Sequence, residues 1–248
     1  MIKGTDRNIP ISELHPFKDH PYKVEDNMEM DALCESISKS GLLSPIIVRP
    51  RVEGGYEIIS GHRRFRAYQR LGMTEIPSTV CEMTDEEATV AMVDANLHRD
   101  HILPSEKAFA YKMKIDALKK QGKRTDLTSD QVGPKLSAKE ISDEDSASQV
   151  KRYIRLTKLI PKLLSMVDEN KISFSVGVEL SYLTKTEQTD LFKFIEKELC
   201  TPSLSQAQKL KKLSQEGKLN TEEISSIMKQ PKANQALTVK IPEDKISK

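Results

Sequence analysis

Between Met28 and Ser40 the apolar residues Met30, Leu33 and Ile37 recur every three or four positions, which predicts an amphipathic helix stopped by Gly41. Ahead of it, Ile9-Pro10-Ile11 reads as a short strand and Pro16 and Pro21 mark a loop. The pattern then changes. Pro45-Ile46-Ile47-Val48-Arg49 is a β-branched run ended by Pro50 and a Gly54-Gly55 turn, and Tyr56 to Ser60 reads as its hairpin partner. That strand leads straight into Gly61 and a helix through Leu71, closed by Gly72, with Ile76 to Val80 as another short strand. Beyond this the chain reads as helix. Thr84 with Glu87 is a capping box opening a helix that ends near Asn96, and Pro104 suits the first turn of a helix running to Gln121 with Gly122 as its stop.

Lys123 to Lys135 is polar and reads as a linker or loop. Ser137 with Glu140, and Ser146 with Gln149, are two closely spaced capping boxes, so two short helices joined by a tight turn are expected there. Pro161, Thr184 with Glu187, and Thr221 near Glu223 mark later helix starts. The pattern predicts an α+β chain: a small mixed-sheet domain over 1–103, an all-helical domain over 104–230, and a linker or tail over 231–248.

Composition narrows the classes. Charged residues are 31% of the 248, aromatics 5% and tryptophan is absent, which fits helices with modest cores and excludes an all-β barrel. The net charge of +2 is uninformative, but its distribution is not. Lys107 to Arg124 holds seven basic residues against Asp116 alone, and Val150 to Val167 holds five with no acid. Such islands are either phosphate-binding surfaces or solvated helix faces. Cys34, Cys81 and Cys200 form no metal or redox motif, and neither a signal peptide nor a membrane span is read, so a cytoplasmic protein is expected.

Gly61-His62-Arg63-Arg64-Phe65-Arg66-Ala67 concentrates the chemistry. A strand, a glycine and an immediate helix start present unpaired amides to an anion, and the helix dipole adds to them. Three arginines at the positive end of that dipole repel one another unless a polyanion joins them. The alternative is an exposed basic helix with carboxylate partners elsewhere in the chain.

These residues resemble the arginine box of the ParB/RepB partition family, Gly-Glu-Arg-Arg-x-Arg-Ala. Ser38 to Arg49 resembles the preceding box of that family, and Asn96 to Ala108 its Glu-Asn-x-x-Arg-x-x-Leu-x-Pro-x-Glu-x-Ala segment. The resemblance implies a ParB/sulfiredoxin-like N-terminal domain that binds CTP with Mg2+, and a dimer that closes around DNA when nucleotide binds. By position it places Gly61, His62, Arg63, Arg64 and Arg66 around the phosphates, Ser44, Pro45 and Ile46 near the base or ribose, and Asn96 at the metal with Arg99 close by. Two carboxylates of the family pattern are missing, replaced by His62 and Ala95. Their loss removes sites for ordering a hard cation or a water, so weak magnesium dependence and slow or absent CTP turnover are expected.

In the second of the two short helices, Val150 and Ile154 form an apolar back with Leu159 beyond, while Gln149, Lys151, Arg152, Arg155 and Lys158 carry the polar side, with Ser148 near its start. That division suits either the recognition helix of a helix-turn-helix or an ordinary basic surface helix. The resemblance favours the former, with Gln149 reading bases and the cations meeting phosphate. The implied partners are double-stranded DNA, a second copy of the chain and a ParA-type ATPase, with no membrane. Dimerisation falls to residues 160 to 230 unless more chain follows. A sulfiredoxin-type enzyme is excluded because Gly61 stands where the nucleophilic cysteine would be. A plasmid or mobile-element transcription regulator without nucleotide switching is the remaining alternative.

Overall fold

The computed structural model describes residues 4–97, 99, 101–125, 141–142 and 145–230. Its first part is a five-stranded mixed sheet of β1 (Thr5–Pro10), β2 (Leu14–His15), β3 (Ile46–Pro50), β4 (Tyr56–Ser60) and β5 (Glu75–Val80), in the order β1-β5-β3-β4-β2. The β3–β4 hairpin is antiparallel as expected, with a register shift between Ile47 and Val48, and β3 runs parallel to β5.

The β-branched strands bury both faces. On β4, Ile58 packs in one core with Met30 and Ile37 of α1 (Met28–Ser40) and Phe65 and Tyr68 of α2 (His62–Arg70). Its neighbour Ile59 packs in the other core with Met92 of α3 (Asp85–Leu97) and Tyr111 of α4 (Pro104–Thr125). Alternation along one strand therefore serves two helical layers. Each such isoleucine contributes roughly 1.5–3 kcal/mol of burial.

The remaining described helices are α5 (Ala147–Leu156), α6 (Pro161–Asp168), α7 (Phe174–Leu180), α8 (Lys185–Glu198), α9 (Leu204–Gln215) and α10 (Thr221–Met228). The chain forms two compact units, Met1–Ile154 and Arg155–Lys248. This division lies beyond the 103/104 boundary expected from the sequence. The reason is packing: Tyr111, Ile141 and Val150 share one core with Phe17 and Ile59. In the second unit two buried glutamines act as junctions. Gln188 receives the Ile160 N–H and donates to the Leu183 carbonyl, while Gln206 donates to the carbonyls of Ile227 and Met228.

Gly122 does not stop α4, which continues to Thr125. The first helix of the expected helix-turn-helix, the 126–135 part of the linker and the 231–248 tail lie outside the described residues. No helix among the described residues is long and apolar enough to cross a membrane.

Candidate functional site

Strand β4 hands over to α2 at Gly61, whose φ of +103° only glycine adopts readily. A Cβ there would also stand 2.6 Å from Ile46 Cγ2 and 3.1 Å from Arg64 Nη2. The arginines that follow do not crowd one unshared space. Arg63 Nη1 meets Glu29 Oε2 at 2.9 Å, and Arg66 grips Asp26 at 2.5 and 3.2 Å. Arg70 meets Asp31 at 2.7 Å. Arg64 Nη1 donates to the Ser44 carbonyl, the Ser44 hydroxyl and the Pro45 carbonyl at 2.6, 2.9 and 2.8 Å. The alternative of distant carboxylate partners is therefore realised for Arg63 and Arg66, and Arg64 clamps the loop that precedes β3.

Beside this turn lies a cavity of about 500 Å³ walled by Lys23, Asn27 and Glu29 before and within α1, Arg63 of α2, and Arg99 and Glu106 further on. Glu25, His101 and Leu103 complete it. Arg99 lies 5.5 Å from the centre of the Tyr22 ring. Among the described residues no carboxylate lies within ion-pair distance of it. Burial chiefly, and also Arg63, draw its guanidinium below the usual value, against the opposing pull of Tyr22 and Glu106. Glu106 is buried and structural, its carboxylate accepting the backbone N–H of Lys23 at 2.8 Å and of Leu103 at 3.1 Å.

Of the residues expected at nucleotide, the cavity brings together Arg63 and Arg99. Ser44 and Pro45 serve Arg64, and Ile46 is buried in β3. Arg66 is exposed on Asp26. Lys23 and Asn27 were not anticipated, because nothing in their local sequence marks them; Glu106 stood in the third motif without an assigned role. Asn96 is buried and donates its amide to the Met92 carbonyl, one turn back in α3, at 2.7 Å. Among the described residues no cluster of three His, Cys, Asp or Glu side chains suits a metal ion. Lys23, Arg63 and Arg99 bring donors of the kind a phosphate group accepts, beside Glu25, Glu29 and Glu106, and among the described residues the lining does not fit a protein-held magnesium ion.

His62 does not line the cavity. It is buried, accepts the Phe17 N–H on Nε2 at 3.3 Å, and stacks on His20 with ring centres 3.7 Å apart. Burial, then His20 and Arg99, push its pKa down to about 3.

Helix α5 is fixed at its start by a polar network. Tyr111 Oη donates to Asp145 Oδ2 at 2.5 Å and lies 3.2 Å from the Ser142 hydroxyl, Lys107 Nζ meets the same carboxylate oxygen at 2.7 Å, and Ser142 Oγ also accepts the Asp145 N–H. Ser146 Oγ then accepts the Gln149 N–H as the predicted cap. Val150 and Leu159 are buried as expected, while Ser148, Lys151 and Lys158 are exposed. Gln149 and Arg152 are half-buried and joined by a 3.3 Å hydrogen bond. Arg155 is committed to the second unit: it donates to Ser181 Oγ at 3.1 Å and to the Ser181 carbonyl at 2.6 Å, and lies 3.8 Å over the Tyr182 ring.

The family described as ParB N-terminal domain matches residues 2–97. Residues 2–97 are a ParB N-terminal domain. The nucleoid occlusion protein of Geobacillus thermodenitrificans is 35% identical over 154 residues, 62% of this chain and 50% of that protein. Chromosome-partitioning protein ParB of Myxococcus xanthus is 33% identical over 165 residues, 66% of this chain and 51% of that protein. The chain spans about half the length of these curated relatives. C-terminally truncated ParB of Caulobacter crescentus, solved on the centromeric parS site, is 24% identical, with 83% of this chain and 98% of that chain covered at a TM-score of 0.48. The same protein solved with CTP-γ-S is 26% identical, with 78% and 99% covered at a TM-score of 0.36. The ParB N-terminal match ends at Leu97, so the cavity wall made by Arg99 and Glu106 follows the matched segment directly.

Proposed function

We propose that this protein is a ParB-type partition protein that recognises a centromere-like DNA site and is switched by CTP held in the cavity beside the arginine turn. The observation that carries the nucleotide half is Arg99, a half-buried guanidinium facing that cavity with no carboxylate within ion-pair distance among the described residues. Arg63 and Lys23 face the same space, so three cations surround a volume suited to a triphosphate. Bound nucleotide exchanges Glu29 for phosphate on Arg63, because that guanidinium cannot serve both in the geometry it now holds. DNA meets Lys151, Arg152 and Lys158 of α5, with Gln149 as the base reader, while Arg155 is engaged by Ser181 and Tyr182. The working protein is a homodimer, and a ParA-type ATPase is its partner in segregation.

A second reading has its own support. The cavity also holds Glu25, Glu29 and Glu106, so its formal charges balance without any ligand. On that reading the chain is a plasmid or mobile-element regulator that binds operator DNA with no nucleotide effect. Equilibrium dialysis with radiolabelled CTP, with and without magnesium, separates the two. Saturable binding that Arg99→Ala weakens about tenfold, equivalent to about 1.4 kcal/mol, supports the switch. No binding, together with unchanged residence on closed DNA in the presence of CTP, leaves the regulator.

A further inference from the structure

Lys23, which lines the cavity, ends a loop that begins at Phe17, and what holds that loop is an unusual pair of side chains. His20 and His62 stack with ring centres 3.7 Å apart and planes tilted by 34°. Their tautomers follow from their partners. His20 Nδ1 lies 2.8 Å from the Tyr22 carbonyl, which can only accept, so Nδ1 carries the proton and Nε2 is bare. That Nε2 is buried and has no hydrogen-bond partner among the described residues. His62 Nε2 accepts the Phe17 N–H at 3.3 Å, so its proton is on Nδ1. Both rings are neutral and each holds one end of the same short loop.

Two carboxylates complete the attachment. Glu57 of β4 accepts the Lys18 N–H at 3.2 Å, and Glu106 of α4 accepts the Lys23 N–H at 2.8 Å. The loop is thus tied at residues 17, 18, 20 and 23, and its last residue faces the cavity. We propose that the His20–His62 stack is a positioning pair: it holds the Phe17–Lys23 loop against the arginine turn and so sets the affinity of the cavity for a nucleotide without touching it. This rests on the nucleotide reading of the cavity. Where the family motif carries a glutamate, His62 keeps a hydrogen-bond acceptor but brings no charge, which suits a buried place beside Arg99.

The other groups around the pair fix the sign of its pH response. The charge of Arg99 acts on both rings, Tyr22 is in edge contact with His20 at 5.5 Å, and Lys112 and Asp116 of α4 share a second cavity with His20. Protonating His62 puts a cation against Arg99 and removes the acceptor of Phe17. Acid therefore loosens the loop, and the neutral pair holds it.

The test uses the full chain. Imidazole 15N spectra at pH 5 are expected to show His62 neutral and protonated on Nδ1, and a pH series to show His20 titrating below its ordinary value. Amide exchange at Phe17 and Lys23 is expected to speed up about tenfold in His62→Ala, the scale of one lost hydrogen bond, and CTP affinity to fall about fivefold. His62→Gln restores an acceptor and should recover protection at Phe17, a rescue that general destabilisation does not produce. His20→Phe keeps the stack but loses the tie to the Tyr22 carbonyl, so it should leave Phe17 protected. Either ring titrating at its ordinary value, or unchanged exchange in His62→Ala, overturns the pair. If the wild-type protein binds no CTP, the nucleotide reading and the claimed effect on affinity both fall, while exchange and the 15N spectra still decide whether the stack holds the loop. If CTP binds equally to wild type and variants, the cavity stands and the pair's role in it falls.

Discussion

Helices α2 and α5 both carry several cations. In α2 the arginines reach back to Asp26, Glu29, Asp31 and the Ser44–Pro45 backbone. In α5 Lys107, Tyr111 and Asp145 fix the helix from behind, and Lys151 stands exposed. Yet α5 also gives up one cation, Arg155, to Ser181 and Tyr182. A basic cluster is therefore divided labour: some guanidiniums hold the scaffold, and a minority are left for phosphate. The division differs because a carboxylate neighbour neutralises Arg63, whereas Arg155 is held by a hydroxyl, a carbonyl and a ring, and keeps its charge.

The largest expected effect concerns how α2 is anchored. The folded pKa of His62 is about 3 against an ordinary 6.5, so the unfolded chain binds the extra proton between those values. Stability from the neutral ring is complete above 6.5 and lost as pH falls toward 3, a drop of about 3 kcal/mol between pH 7.5 and pH 4. Denaturant melts at the two pH values should show a drop smaller by about that amount in His62→Gln. For α5 the matching break is Asp145→Ala, which strands the Lys107 ammonium and the Tyr111 hydroxyl and should destabilise the first unit by about 2 kcal/mol in the same melts.

Smaller effects sort the cations. Glu29→Gln frees Arg63 and should tighten CTP about threefold by dialysis, a change of roughly 0.6 kcal/mol; weaker binding would mean that Glu29 helps to hold the ligand. On α5, Lys151→Ala should lower the slope of log affinity against log salt by about 1 in DNA titrations. Arg155→Ala should leave that slope unchanged and lower the stability of the second unit by about 1 kcal/mol. The reverse pattern would assign Arg155 to DNA.

Elements with local signals were legible in the sequence. The α1 stripe with its Gly41 stop, the β3–β4 hairpin and the Thr84 and Thr184 capping boxes all stand where their spacing placed them. The two-residue β2 could not be seen, because only its bridge to β4 defines it. Helix α7 has no side-chain cap to announce it, whereas Ser203 with Gln206 is a local capping-box signal for α9. At the site, the arginine turn was plain but its partners were not. Glu29 is 34 residues from Arg63, and Glu106 is 83 from Lys23, separations at which no sequence window carries a signal.

Gly61 has a consequence for how this chain can vary. Two independent constraints act on it: a backbone angle closed to side chains and a 2.6 Å approach to Ile46. Trimming Ile46 to alanine would open the space and leave the angle untouched, so no single neighbouring change rescues a replacement. Positions of this kind cannot drift in compensating pairs. In a set of descendants of this sequence, residue 46 is free to explore smaller side chains while residue 61 stays fixed, and the two columns would show no covariation although their atoms are in contact.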